Sequence, residues 1–227
     1  MPDQNPESSE PQPAVVETAP ERAPKPARRT RRTVAARRKT ASRKSSASSR
    51  SAKPEKAAKP APRKRVSRFV VLFRHGLAEE HSAEKADGDR SLTADGHAKT
   101  KRAARGMRDV FPDADTLFAS PLLRAMQTAL WLTKAYGDKL KIQVTDALLP
   151  SADPALLAEL IASQDGRNII VVGHEPHLSD SFAHLVGIKG SLRADLRKAG
   201  GIGIRLDEHG RGTLEWMLAP RMLRKLG

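Results

Sequence analysis

The 227-residue sequence contains no cysteine. Disulfides, thiolate catalysis and cysteine-ligated zinc are thereby excluded, and the absence fits a reducing compartment. No run approaches the roughly 18 apolar residues that a membrane helix needs. No apolar stretch follows the Arg-Arg pairs at 28–29, 31–32 and 37–38. Neither a Sec nor a twin-arginine signal is expected, and the chain is read as cytoplasmic, with no membrane partner. Aromatic residues make up only 4 % of the chain, and residues 1–65 have none. That segment also lacks glycine and has three valines, yet it carries ten of the sixteen prolines. Such a composition cannot bury enough apolar surface to offset its ordering entropy. Residues 1–65 are therefore expected to be a disordered tail ahead of one folded domain over 66–227.

Charge divides along the same boundary. The tail holds 18 of the 41 Lys and Arg and 6 of the 26 Asp and Glu, which leaves 23 and 20 for the domain. The domain is thus nearly neutral. The tail is acidic over its first twenty or so residues, and from 22 to 65 its only acidic residue is Glu55. Basic clusters such as Arg37-Arg38-Lys39 and Arg63-Lys64-Arg65 attract polyanions such as DNA, RNA or polyphosphate without sequence specificity, and salt weakens that attraction. With no interleaved aromatic residue, base stacking is not available to the tail.

Within the domain, Arg68–Arg74 reads as a strand buried on both faces, because its apolar run, Phe69-Val70-Val71-Leu72-Phe73, is continuous. Thr93 caps a helix that runs to Pro112. Thr116–Ala119 reads as a short strand. Ser120 then caps a helix with Pro121 at its first position, which ends before Gly137. Residues 141–145 alternate as a strand, Asp153-Pro154 opens a helix, and 168–172 is a second continuous apolar strand. A helix carrying Leu178, Phe182 and Leu185 ends at Gly187, and 201–206 with 213–218 form a closing antiparallel pair. Alternating strands and helices imply a three-layer α/β/α sandwich with a mainly parallel sheet.

Ligands of such sheets sit beyond the carboxyl ends of the strands. Three motifs fall there: Arg74-His75-Gly76, then Ser120-Pro121-Leu122-Leu123-Arg124-Ala125-Met126-Gln127-Thr128-Ala129, then Gly173-His174-Glu175-Pro176. Together they supply two arginines and two histidines. Arginine offers planar, permanently charged donors to a phosphoryl group. A neutral imidazole can attack phosphorus, and surrounding cations keep it unprotonated near neutral pH. His75, beside Arg74 and the permissive Gly76, is the candidate nucleophile. His174 is the candidate donor to the non-bridging oxygens. His81, His97, His177, His184 and His209 match no metal-ligand spacing.

This constellation resembles the histidine phosphatase superfamily, also called the phosphoglycerate-mutase-like family, over about 160 residues from Arg68 onward. Within it the chain is similar to the compact SixA-type phosphohistidine phosphatases. The stretch Asp89-Arg90-Ser91-Leu92-Thr93 corresponds to their Arg-Pro-Leu-Thr segment, with Ser91 where proline is usual, and Trp216-Met217-Leu218-Ala219-Pro220 is similar to their C-terminus. The resemblance implies His75 as the phosphorylated nucleophile and Arg74, Arg124 and His174 as its phosphate pocket. Arg90 and Gly76 follow as substrate contacts, and no metal or other cofactor is implied. Mutases and sugar phosphatases of the superfamily carry a Glu or Asp general acid between the second motif and the second histidine. Here that stretch is short, and Asp146-Ala147-Leu148-Leu149-Pro150 offers no glutamate in the expected context. An alkoxide leaving group needs such an acid. Imidazole leaves neutral once its nitrogen is protonated, so a phosphohistidine substrate fits. Glu175 and Asp87 remain as candidate acids.

The leading expectation is therefore a phosphatase for phosphohistidine in a protein, such as a phosphorelay component. The alternatives are a small-molecule phosphomonoesterase and a non-enzymatic protein that binds polyanions or phosphorylated ligands. Deleting residues 1–65 is expected to spare turnover of a small phosphate substrate. In a salt titration, the same deletion should weaken binding to DNA or polyphosphate and flatten its salt dependence.

Overall fold

In the computed structural model, which describes residues 66–189 and 196–227, strand β1 (Arg68–Arg74) lies inside a six-stranded sheet. The expectations for 1–65 lie outside the described residues. The remaining strands and α-helices are α1 (Ala94–Val110), β2 (Thr116–Ala119), α2 (Leu123–Ala135), β3 (Ile142–Val144), α3 (Pro154–Ser163), β4 (Asn168–Gly173), α4 (His177–Val186), β5 (Gly201–Leu206), β6 (Gly212–Leu218) and α5 (Pro220–Leu226), with short 3-10 turns at Asp87–Asp89 and Asp146–Leu148. The strand order is β3-β2-β4-β1-β5-β6. β1, β4, β2 and β3 run parallel, whereas β5 is antiparallel to both β1 and β6.

The continuous apolar runs serve two cores at once, because successive strand residues point to opposite faces. Val71 and Phe73, with Leu117, Ile170 and Val172, pack against Ala103 and Met107 of α1, Leu132 of α2 and Leu223 of α5. Val70 and Leu72, with Ile169, Val171 and Ile202, pack against Leu157 and Ile161 of α3 and Leu178 and Phe182 of α4. The three-layer sandwich is thus as expected, including the closing antiparallel pair. Among the described residues, no helix is long and apolar enough to cross a membrane.

Helix starts follow local chemistry. The Thr93 hydroxyl accepts from Gly96 N, and the Asp153 carboxylate accepts from Ala155 N with Pro154 at the first position. Gly187, at φ 74°, ends α4 in the left-handed region that favours glycine. One expectation fails. The helix of the second motif begins at Leu123 rather than Pro121, and Leu122, which precedes it, makes no side-chain cap. The fully buried hydroxyl of Ser120 accepts only a long bond from Leu122 N, at 3.4 Å, and lies closer to the ring of His174, at 2.9 Å.

The C-terminal segment adds α5, which the periodicity does not announce. It packs on α1, where Gly106 lets the two backbones meet: a Cβ there would stand 2.0 Å from Leu223 O. Gly106→Ala gains helix propensity but forces α5 away. The expected net effect in thermal or urea unfolding is a loss of about 1–3 kcal/mol, the range typical of overpacking. An unchanged or raised Tm would mean that α5 gives way at no cost.

Candidate active site

Three neighbouring parallel strands deliver the site by continuing their hydrogen-bond ladders one residue past their ends. Arg74 lies opposite Gly173, and His75 N donates to Gly173 O at 3.1 Å. Ser120 N donates to Val172 O at 3.0 Å. His75, His174 and Ser120 therefore occupy adjacent lanes. The two imidazoles lie 4.9 Å apart between centroids, with their planes at 50°. His75, Arg124 and His174 are only 6, 4 and 2 % exposed, so their polar groups sit in a shielded medium.

His75 Nδ1 lies 2.7 Å from Gly76 O. A carbonyl only accepts, so Nδ1 carries the proton and Nε2 the lone pair. Gly76 N donates to Thr128 Oγ1 at 3.0 Å, and Thr128 Oγ1 donates to Arg124 O at 2.7 Å. A Cβ on Gly76 would stand 2.0 Å from Thr100 Oγ1, so no side chain fits between His75 and α1. Gly76 thereby ties the histidine to the helix that carries Arg124, with its own amide and carbonyl engaged in the protein.

Arg124, the second residue of α2, donates from Nη1 to Asp87 O at 2.7 Å and from Nη2 to Asp87 Oδ2 at 2.9 Å. Arg90 donates from Nη1 to Asp87 Oδ1 at 2.7 Å, and its Nε and Nη2 reach Glu79 O at 2.9 and 2.6 Å. These two arginines are thus joined by one carboxylate. Hydrogen bonds from Arg90, then from Arg124, hold the Asp87 carboxyl below its usual range. An ionised Asp87 accepts hydrogen bonds and donates no proton, which speaks against it as a general acid. Glu175 differs: burial pushes its carboxyl up, against hydrogen bonds from Ser179 and the charge of Arg74. Of the two candidate acids, only Glu175 has the electrostatics of a proton donor.

Arg74 donates from Nη1 to Leu196 O at 2.8 Å, while its buried Nε has no hydrogen-bond partner. His174 uses Nε2 on Ser120 Oγ, and its buried Nδ1 is likewise without a partner. Burial drives the His75 imidazole down to about 3, helped by the charges of Arg124, Arg74 and Lys198 and opposed by the Gly76 bond. Burial also drives His174 down to about 3, helped by His75 and Arg124. Both rings are neutral at physiological pH.

All four residues of the expected quartet converge, with Arg90, Gly76, Asp87 and Glu175 around them. Three more residues belong here that the motifs did not single out. Ser120 stands inside a motif but reads as a helix cap. Thr128 reads as one more helical position. Lys198 lies in no motif, and only the fold brings it in. Ala199 N donates to both Arg74 O and His75 O, at 3.0 and 3.1 Å, with Ala199 at a left-handed φ of 62°. Burial, then Arg74 and Arg90, lowers the Lys198 ammonium below its usual range. Among the described residues, no three His, Asp or Glu side chains gather as metal ligands.

Comparison with known proteins gives a consistent picture. The family described as histidine phosphatase superfamily (branch 1) matches residues 70–149. An uncharacterized protein of Picosynechococcus sp. is 34 % identical over 140 residues, 60 % of this chain and 84 % of that one. Phosphohistidine phosphatase SixA of Escherichia coli is 26 % identical over 158 residues, 66 % of this chain and 93 % of that one. A structure of the protein histidine phosphatase SixA complexed with tungstate superposes with a TM-score of 0.58 at 26 % identity, covering 68 % of this chain and 99 % of that one.

The buried neutral histidines link stability to pH. In the unfolded chain each titrates near 6.5, whereas in the fold it resists protonation to about 3. Their contribution is complete above pH 6.5 and is lost as the pH falls from there towards 3. Each histidine accounts for up to about 1.4 kcal/mol per pH unit in that window. Urea unfolding at a series of pH values across the window should show this slope, and a His75→Ala/His174→Ala double variant should flatten it. Equal slopes would mean that both rings protonate in the folded protein.

Proposed function

The chain belongs to the histidine phosphatase superfamily, and on that premise we propose that it removes phosphate from phosphohistidine in a protein substrate through a phospho-His75 intermediate. The chain is a hydrolase of the phosphatase class; its substrate and the roles of its residues are our reading. A phosphorelay component fits the substrate class. The names of two similar proteins, phosphohistidine phosphatase SixA and protein histidine phosphatase SixA, support this direction.

In this reading, His75 Nε2 attacks phosphorus, the P–N bond to the donor imidazole breaks, and that imidazole leaves after its nitrogen takes a proton. Water then attacks phospho-His75, releasing phosphate and restoring the imidazole. The Nδ1–Gly76 bond fixes the tautomer that leaves the Nε2 lone pair free. Arg74 and Arg124 hold the equatorial oxygens, His174 donates to one of them, and Arg90 and Lys198 add charge at the rim. Arg124 keeps further N–H donors beyond the two it gives Asp87. Gly76, Thr128 and Ser120 position these groups.

The observation that carries the choice of substrate is the state of Asp87. Held ionised by two arginines, it supplies no proton to a leaving alkoxide, and a phosphoramidate asks for the least help. The second reading, a small-molecule phosphomonoesterase, is favoured by one observation: the burial-raised Glu175 next to His174.

The test sets wild type against His75→Ala and Glu175→Gln on a phosphohistidine protein and on a generic phosphate ester. The expected outcome is wild-type preference for the phosphohistidine protein and its abolition in His75→Ala. Glu175→Gln should stay within several-fold of wild type on the phosphohistidine protein. Faster ester hydrolysis, lost by a factor of about 10²–10⁴ in Glu175→Gln, would instead install Glu175 as general acid and favour the esterase.

A further inference from the structure

Helices α1 and α2 lie side by side in the same direction. Leu92 N, just before α1, donates to Gln127 Oε1 near the start of α2. Further along, Trp131 Nε1 donates to His97 Nδ1 at 3.0 Å, and at the far end Tyr136 OH donates to Phe111 O. The pair therefore starts at the end that carries the buried Arg124, and its outer face leads away from there.

That face is basic. Lys101, Arg105 and Arg108 fall at i, i+4 and i+7 on α1, one stripe of a helix. Lys134 adds a cation from α2. Trp131 sits among them, with Lys101 Nζ 5.5 Å and Lys134 Nζ 5.0 Å from its ring centroid. Lys101, Arg105, Trp131 and Lys134 line a depression of about 320 Å³. Among the described residues, Lys101, Arg105 and Lys134 form no ion pair, in contrast to Lys99 with Asp95 and Arg108 with Asp109. Cations brought together around an aromatic ring without a carboxylate repel one another, and an acidic surface relieves that repulsion.

We propose that this α1–α2 face docks an acidic surface of a phosphoprotein, the substrate class on which this inference rests. Distance selects the kind of partner. Lys134 stands ten residues beyond Arg124 on α2, about 15 Å along the axis, so a small phosphate compound held at Arg124 does not reach the patch. A protein interface of about 800 Å² per side spans both. The indole is poorly placed for a stacking base, because its N–H is taken by His97 and two ammonium groups lie against its ring. A half-buried tryptophan ringed by cations has the composition of an interface anchor.

The test uses the full chain and its Lys101→Glu/Arg105→Glu/Lys134→Glu variant, all three positions being exposed. The probes are an acidic histidine-phosphotransfer domain phosphorylated with phosphoramidate, imidazole phosphate, and a single-stranded oligonucleotide. Calorimetry at low and high salt reads binding, and phosphate release reads turnover. The expected result is at least about a tenfold weaker Kd for the domain, with a flattened salt dependence. The kcat/KM for imidazole phosphate should stay within twofold. Unchanged binding of the domain, or equal losses on the domain and on imidazole phosphate, overturns the inference. So does a loss confined to the oligonucleotide. If wild type binds the domain yet releases phosphate only from imidazole phosphate, the substrate reading fails, while the binding comparison still judges the surface.

Discussion

The parallel pairing of β1 with β4 is the constraint on which the rest depends. Neighbouring strands lie about 4.8 Å apart, and the rings of His75 and His174, the first residues past those strands, stand 4.9 Å apart. The distance between the two histidines is thus a property of backbone geometry before it is a property of side chains. It holds because β1 is enclosed on both faces and both edges. Val70, Val71, Leu72 and Phe73 are fully buried, and β4 and β5 take up its hydrogen bonds on either side. The core of the domain and the precision of the site are therefore the same set of contacts.

Burial also decides the electrostatics. The same shielding that makes Arg124 a strong donor keeps the adjacent imidazoles neutral, since a second buried cation would cost more than a neutral ring. Among the described residues, six buried side-chain atoms lack hydrogen-bond partners, and four of them belong to Arg74, His174, Glu175 and His177. Protein interiors seldom leave such groups unsatisfied without a functional reason. Their concentration at one end of the sheet coincides with the candidate site.

Much of this was legible in the sequence because the signals were local. The unbroken apolar run of 69–73 announced a strand buried on both faces, and strand ends in a parallel sheet announced where the motifs would meet. What was not legible depended on partners distant in the chain. Ser120 has the residue type and position of a helix cap, and only the fold, which sets it beside His174 at the end of the neighbouring β4, shows that its hydroxyl also meets that ring. Lys198 belongs to no pattern at all. It is brought to Arg74 by the two hydrogen bonds of Ala199, whose left-handed φ is a conformation that alanine gives no hint of adopting. The helix α5 rests on Gly106, a residue whose meaning appears only when another backbone lies against it.

The bridge that Asp87 makes between Arg124 and Arg90 has a consequence for charge. One carboxylate lies between two guanidinium groups, so the trio carries a single net positive charge where the two arginines alone would carry two. Arg124 gives Asp87 only two of its five N–H groups, so the bridge sets the direction of the fork without exhausting its donors. Asp87 is thus the spacer that lets two like charges stand side by side at the ends of the strands.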